Sequence, residues 1–227
     1  FMSTVVKTAA IAAFFRLFLH TFSTEGEFWK NTVWGLSALT ILIGNISAVA
    51  QTNVKRMLAY SSISHAGYML LAILALNSTA PASLLFYTSA YSISSITSFA
   101  ILLAVSAVTG NENLDSFNGL ARKNPFLGVI TVIAMLSLAG IPPTAGFFAK
   151  YFIFSSAIQQ GYTTLVLIAV LGSLIGVFYY FRVIIAMFKE AEAPVVSLGL
   201  GYKALLIATA AAALILGISP ELLAGLL

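Results

Sequence analysis

The chain has 227 residues, of which 60% are hydrophobic and 8% charged, and its mean hydropathy is +1.01. That excess of apolar side chains excludes an ordinary soluble domain, and long uninterrupted apolar runs exclude an outer-membrane barrel with its short alternating strands. The net charge of +4 is scattered over loops and spans and calls for no nucleic-acid partner, while a cysteine count of 0 excludes disulfides, Fe–S ligation and thiol catalysis in this chain.

Apolar runs long enough to cross a bilayer as helices recur along the chain at roughly 1–21, 30–50, 58–76, 83–109, 126–158, 162–188 and 202–219. The expected fold is all-α: a polytopic membrane helix bundle of about seven transmembrane helices, one of them discontinuous, forming a single transmembrane domain over residues 1–227. The first run begins at Phe1-Met2-Ser3 with no charged flank and no cleavage pattern, as expected for the back part of a longer protein.

Lys7 lies inside the first run, and a lysine at membrane depth costs at least about 2.5 kcal/mol on insertion scales. Ser3 and Thr4 sit one turn before it on the same face, a short polar stripe suited to a hydrated interior; a lysine snorkelling to the headgroups is the bland alternative. His20, at the far end of that run, is expected at the interface. In the third run, AYSSISHAGY places Ser61 one turn before His65 and Ser64 one turn before Tyr68. His65 is either a hydrogen-bonded packing residue or a proton relay, since imidazole titrates near neutral pH. The fourth run carries Tyr87, Tyr91, Ser94 and Ser98 on one face, which is either a hydroxyl-lined wall or a set of serines bonded back to their own helix.

The fifth run is interrupted by LSLAGIPPTAGFFAK, residues Leu136 to Lys150. Pro142 and Pro143 remove two backbone donors and free carbonyls on the preceding turn, with Gly140 and Gly146 at either side. Non-helical backbone in a membrane is tolerated where protein buries it or water reaches it, so the break predicts a polar, hydrated cavity near mid-membrane. A bare proline kink would not explain Lys150, which follows the break about 25 residues into its apolar segment. In the sixth run Gly172-xxx-Gly176 reads as close helix packing. Gly199 and Gly201 make only GxG, too little for a dinucleotide site, and two distant histidines cannot hold a metal alone.

Lys55, Arg56, Arg122, Lys123, Arg182 and Lys189 fall at one end of the alternating spans, against Arg16 and Lys30 at the other. The richer end is expected to be cytoplasmic, with the carboxyl terminus outside the cytoplasm. Burial of an amine disfavours its charged form, so lysines joined by a histidine and water could load and release protons stepwise.

TNVKRMLAYSSISHAGY (Thr52–Tyr68), SLAGIPPTAGFFAK (Ser137–Lys150) and YYFRV (Tyr179–Val183) resemble the antiporter-like membrane subunits of respiratory complex I, shared with multisubunit cation/proton antiporters. The resemblance covers essentially the whole chain. Within the family it favours the N-type branch, because Tyr91 stands where the L and M types carry histidine and Lys150 where the M type carries glutamate. It implies proton-transfer roles for Lys7, His65 and Lys150, with Ser61, Tyr87, Tyr91 and Ser94 as polar lining. It further implies two inverted repeats plus flanking helices, of which this chain holds the back half, without the glutamate–lysine pair of the front half.

The function so implied is proton translocation as a non-redox subunit of an NADH:quinone oxidoreductase. This chain would hold no cofactor or metal, with NADH, FMN, Fe–S clusters and quinone carried by other subunits. Its partners would be the adjacent antiporter-like and small membrane subunits, the lipid bilayer and protons. The expected location is a bacterial cytoplasmic membrane, with organellar inner and thylakoid membranes as alternatives. The competing functions are a Na⁺/H⁺ antiporter subunit and a non-pumping membrane scaffold.

Overall fold

A computed structural model of the chain describes residues 2–21 and 28–224. Among these residues every regular element is helical, apart from one isolated antiparallel bridge between Asn53 and Asn113. A π-helical turn, Met2–Val6, leads into α1 (Lys7–His20); then come α2 (Phe28–Val49), α3 (Val54–Ala75), α4 (Ala80–Thr109) and a short α5 (Leu120–Lys123). They are followed by α6 (Pro125–Ala139), α7 (Ala145–Gln159), α8 (Thr163–Phe188), α9 (Leu200–Ile218) and a terminal turn, α10 (Glu221–Ala224). Local signals set several starts. The Asn53 side chain accepts the Arg56 N–H at 3.0 Å and caps α3, and Pro125 opens α6 where a missing N–H is harmless.

The five helices α2, α3, α4, α8 and α9 are long and apolar enough to cross a membrane. α6 and α7 have 15 residues each. At about 1.5 Å per residue each reaches only some 22 Å, short of the roughly 30 Å of hydrocarbon. Together they make one crossing. α6 starts beside the α8–α9 connection, where the Asn124 side chain donates to the Pro194 carbonyl and accepts the Val196 N–H. α7 ends against the α3–α4 turn, where Ser156 donates to Asn77 at 2.8 Å.

The same contacts sort the loops into two ends. At one end Val54 N–H reaches Glu112 O, Leu114 N–H reaches Thr52 O and Gly119 N–H reaches Ala186 O, so the loops after α2, α4 and α8 meet. The basic residues grouped from the sequence collect here, with Lys55 paired to Glu112 at 2.7 Å and Arg122 to Glu190 at 3.0 Å. Arg182 joins them by donating to the Val49 carbonyl that ends α2. α3 is the central helix, buried on most of its surface and packed against α1, α2, α4, α7 and α8. α2 and α8 instead turn Leu39, Ile43, Ile46, Leu171, Leu174 and Phe178 outward, all more than half exposed. Such a belt would be costly against water and is at home against acyl chains.

Candidate functional site

The break between α6 and α7 closes as a Schellman turn. Gly140 takes a left-handed φ of +82°; its N–H bonds to Leu136 O and Ser137 O, and Ile141 N–H returns to Leu136 O at 3.0 Å. That leaves the Ala139 carbonyl, at the negative end of the α6 dipole, without a backbone donor. Lys150, one turn and a half into α7, supplies it: Nζ donates to Ala139 O at 2.6 Å and to the Ser173 hydroxyl of α8 at 2.7 Å. An orphaned buried carbonyl costs about 1–3 kcal/mol and a lysine at membrane depth about 2.5 kcal/mol or more, so bringing the two together offsets both. The break and the lysine explain each other.

Two glycines make the geometry sterically feasible. A Cβ on Gly140 would lie 2.7 Å from the Lys150 stem. One on Gly146 would run into the Ser137 carbonyl, where the first turn of α7 meets the last turn of α6. The prolines do something else. Pro142 and Pro143, joined by a cis peptide bond, are exposed on the outside of the turn and line neither cavity described below.

The polar cavity expected at the break takes a different form. A cavity of about 430 Å³ does open beside Gly140 and Lys150, but Phe147, Tyr151, Phe154, Ile158, Val170 and Leu174 dominate its wall. Lys150, Ser173, Ser155 and Gln159 also line it. On the inner side of Lys150 the space shared with His65, Tyr87, Tyr91, Ser94, Ser137 and Gly146 is only about 10 Å³, at the lower limit for one water. The reason is packing. α3, α4 and α7 approach closely enough for their hydroxyls and rings to touch directly.

His65 is 4% exposed and held at both nitrogens, with Nδ1 2.8 Å from the Tyr87 hydroxyl and Nε2 3.2 Å from the Tyr180 hydroxyl. A neutral imidazole donates from one nitrogen and accepts at the other, so one tyrosine must donate to it and the other accept. Its ring lies 4.8 Å from that of Tyr91 and edge-on to Tyr68 at 5.8 Å. Lys7, half-buried in α1, donates to the Ser62 carbonyl and hydroxyl of α3, lies 3.4 Å from the Tyr91 hydroxyl, and sits 4.9 Å above the Tyr91 ring. Lys150 Nζ lies 5.4 Å over the Tyr68 ring. The three sequence-nominated residues are therefore strung along one interior line: Lys7, Tyr91, His65, Tyr68, Lys150.

Of the nominated lining, Tyr87 and Tyr91 touch His65 directly. Ser94 bonds back to Ala90 O but also meets Ser137 of α6 at 2.7 Å. Ser61 and Ser98 bond to their own helices, at Leu58 O and Ser94 O. Ser3's side chain lies outside the described residues, while Thr4 is buried and its carbonyl accepts from Thr8. Gly172 is a close-packing position, since a Cβ there would press on Ile41 of α2 at 2.5 Å; Gly176 has ordinary clearance at 3.6 Å. Sequence reasoning missed Ser62, Ser137, Ser173, Tyr180 and Asn45. Asn45 carried a usable signal, an amide inside the apolar second run.

A polytopic helix bundle with a broken helix, whose freed carbonyl is taken by a buried lysine, has the construction of a membrane protein with a polar site inside its helices. The chain belongs to the NADH:quinone oxidoreductase/Mrp antiporter transmembrane family, whose family model matches residues 1–176. It is 43% identical, over 98% of its length and 49% of the relative's, to NADH-quinone oxidoreductase subunit N of Cytophaga hutchinsonii. Among solved structures it resembles a chain of respiratory complex I from Thermus thermophilus at 34% identity and a TM-score of 0.76, covering 86% of this chain and 45% of that one. It shares its fold with a chain of the Mrp complex from Dietzia, at 22% identity and a TM-score of 0.87, covering 96% and 49%. The chain spans about half the length of the curated relatives it matches.

Proposed function

We propose that this chain forms the proton-carrying back half of an N-type antiporter-like subunit, in a proton-translocating NADH:quinone oxidoreductase of a bacterial cytoplasmic membrane. The observation that carries this is the shared interior of Lys7, His65 and Lys150: Lys7 lies beside the Tyr91 hydroxyl, His65 packs near the Tyr91 ring with its nitrogens on the Tyr87 and Tyr180 hydroxyls, and Lys150 faces the Tyr68 ring. In this mechanism Lys7 receives a proton, its charge disfavours a second charge nearby, and the proton is relayed past Tyr91 and His65. Lys150 holds it against the Ala139 carbonyl and the Ser173 hydroxyl before release. Electron transfer, with its NADH, flavin, Fe–S clusters and quinone, belongs to other subunits of the complex, and this chain supplies the pump. The adjacent antiporter-like and small membrane subunits are its proposed partners.

The family also holds Mrp antiporter subunits, which would use the same amines without electron transfer. The 43% identity to an N-type oxidoreductase relative favours the oxidoreductase. Co-purification with flavin and Fe–S subunits separates the two. The function itself is tested by Lys150→Ala in the full-length subunit: assembly is retained, since Ser173 Oγ lies 3.5 Å from the Ala139 carbonyl and can replace the lost donor, while protons pumped per electron fall. Undiminished pumping would leave the chain a scaffold.

A further inference from the structure

Asn45 lies near the C-terminal end of α2, is 1% exposed, and takes no part in the relay just described. Its amide is fully engaged. Nδ2 donates to the Ile41 carbonyl at 2.8 Å and to the Tyr68 hydroxyl at 3.1 Å, and Oδ1 accepts from the Tyr179 hydroxyl at 3.0 Å. The Ile41 carbonyl can only accept, so it decides which end of the amide is nitrogen. Two directions follow. Tyr179 must donate to Asn45, and Tyr68 must accept from it, leaving the Tyr68 proton pointed elsewhere. A carboxamide neither gains nor loses a proton near neutral pH, so the hydroxyl network ends at this residue.

The surroundings keep that arrangement tight. A Cβ on Gly172 of α8 would come within 3.0 Å of both Asn45 Nδ2 and the Tyr68 hydroxyl, so the helix leaves room there for the amide and the phenol. The Tyr179 ring packs on Tyr180 at 4.5 Å, and Tyr180 in turn meets His65. The Tyr68 ring is the surface that Lys150 faces. We propose that Asn45 is a positioning residue for Lys150: by holding the Tyr68 hydroxyl it fixes the ring beneath the ammonium and ties α2, α3 and α8 together at that point. This rests on Lys150 being the proton carrier.

The test uses the full-length subunit in the reconstituted complex, with Asn45→Leu and Tyr68→Phe made singly and each combined with Lys150→Ala. Protons translocated per electron are measured across pH, and subunit content is measured separately. Asn45→Leu is expected to lower pumping about two- to tenfold, the range spanned by one lost buried hydrogen bond, and to move the pH of half-maximal pumping. Tyr68→Phe, which removes one oxygen and keeps the ring, is expected to move that pH in the same direction. Neither change should add to the loss caused by Lys150→Ala. A uniform drop at every pH, additive with Lys150→Ala, would make Asn45 a packing residue and overturn the inference. If Asn45→Leu fails to assemble, Tyr68→Phe decides, and an unchanged pH profile there is equally fatal. Lys150→Ala reducing pumping while the Asn45 and Tyr68 variants behave as wild type defeats this inference alone; wild-type pumping by Lys150→Ala defeats the proposed function and the inference with it.

Discussion

At His65 the two ring nitrogens face two tyrosine hydroxyls on different helices, Tyr87 on α4 and Tyr180 on α8. Passing a proton through the ring exchanges the tautomer and requires both hydroxyls to turn over. Replacing His65 with alanine removes that exchange and leaves both phenols without their imidazole partner. The expected outcome is pumping slowed by about 10-fold, less than the roughly 10²–10⁴-fold a positioned proton-transfer group contributes because water can substitute as a relay, with assembly of the complex retained. Pumping rates and subunit content in the His65→Ala complex check this; unchanged pumping with lost assembly would assign His65 to packing. Ser61 offers a contrast on the same helix. Its hydroxyl is bonded back to Leu58, so Ser61→Ala should leave pumping within about twofold of wild type, as expected for a local bond with little net worth.

At the scale of the elements, the decisive feature is how closely α7 returns to α6. Gly146 has no room for a methyl group, because its Cβ would strike the Ser137 backbone, whereas a Cβ on Gly35, in the first half of α2, has nothing within 4 Å. Gly146→Ala is therefore expected to destabilise the subunit by about 1–3 kcal/mol, the usual range for overpacking, and Gly35→Ala to be tolerated. Thermal unfolding of the detergent-solubilised complex measures both. The break itself was legible in the sequence, since two prolines and two glycines inside an apolar run can hardly continue a helix. Lys7, His65 and Lys150 were legible too, as polar groups that are expensive where they lie. The apolar character of the larger cavity was not, nor were the partners Ser62, Ser173 and Tyr180. Periodicity shows which residues share a face of one helix, whereas these contacts join residues 55, 23 and 115 positions apart and depend on how the helices pack.

Across the whole molecule, the loops sort into a basic end and an end marked by Asn77, Ser156 and Gln159, with α6 and α7 sharing one crossing between them. Asn113 and Thr79 are exposed at these opposite ends. With the lysine and arginine bias facing the cytoplasm, a cysteine at Asn113 should react with an impermeant thiol reagent from the cytoplasmic side and one at Thr79 from the other. The reverse pattern would invert the orientation. The central claim is that Lys150 gives up its proton rather than serving as a fixed cation for the Ala139 carbonyl. Lys150→Arg separates these roles, because a guanidinium can still donate to Ala139 and Ser173 but stays protonated at physiological pH. The measurement is proton translocation per electron in reconstituted membranes carrying the full-length subunit, with assembly verified independently. A complex that assembles normally and loses coupled pumping is the predicted result, and a Lys150→Arg complex that pumps like wild type would contradict it.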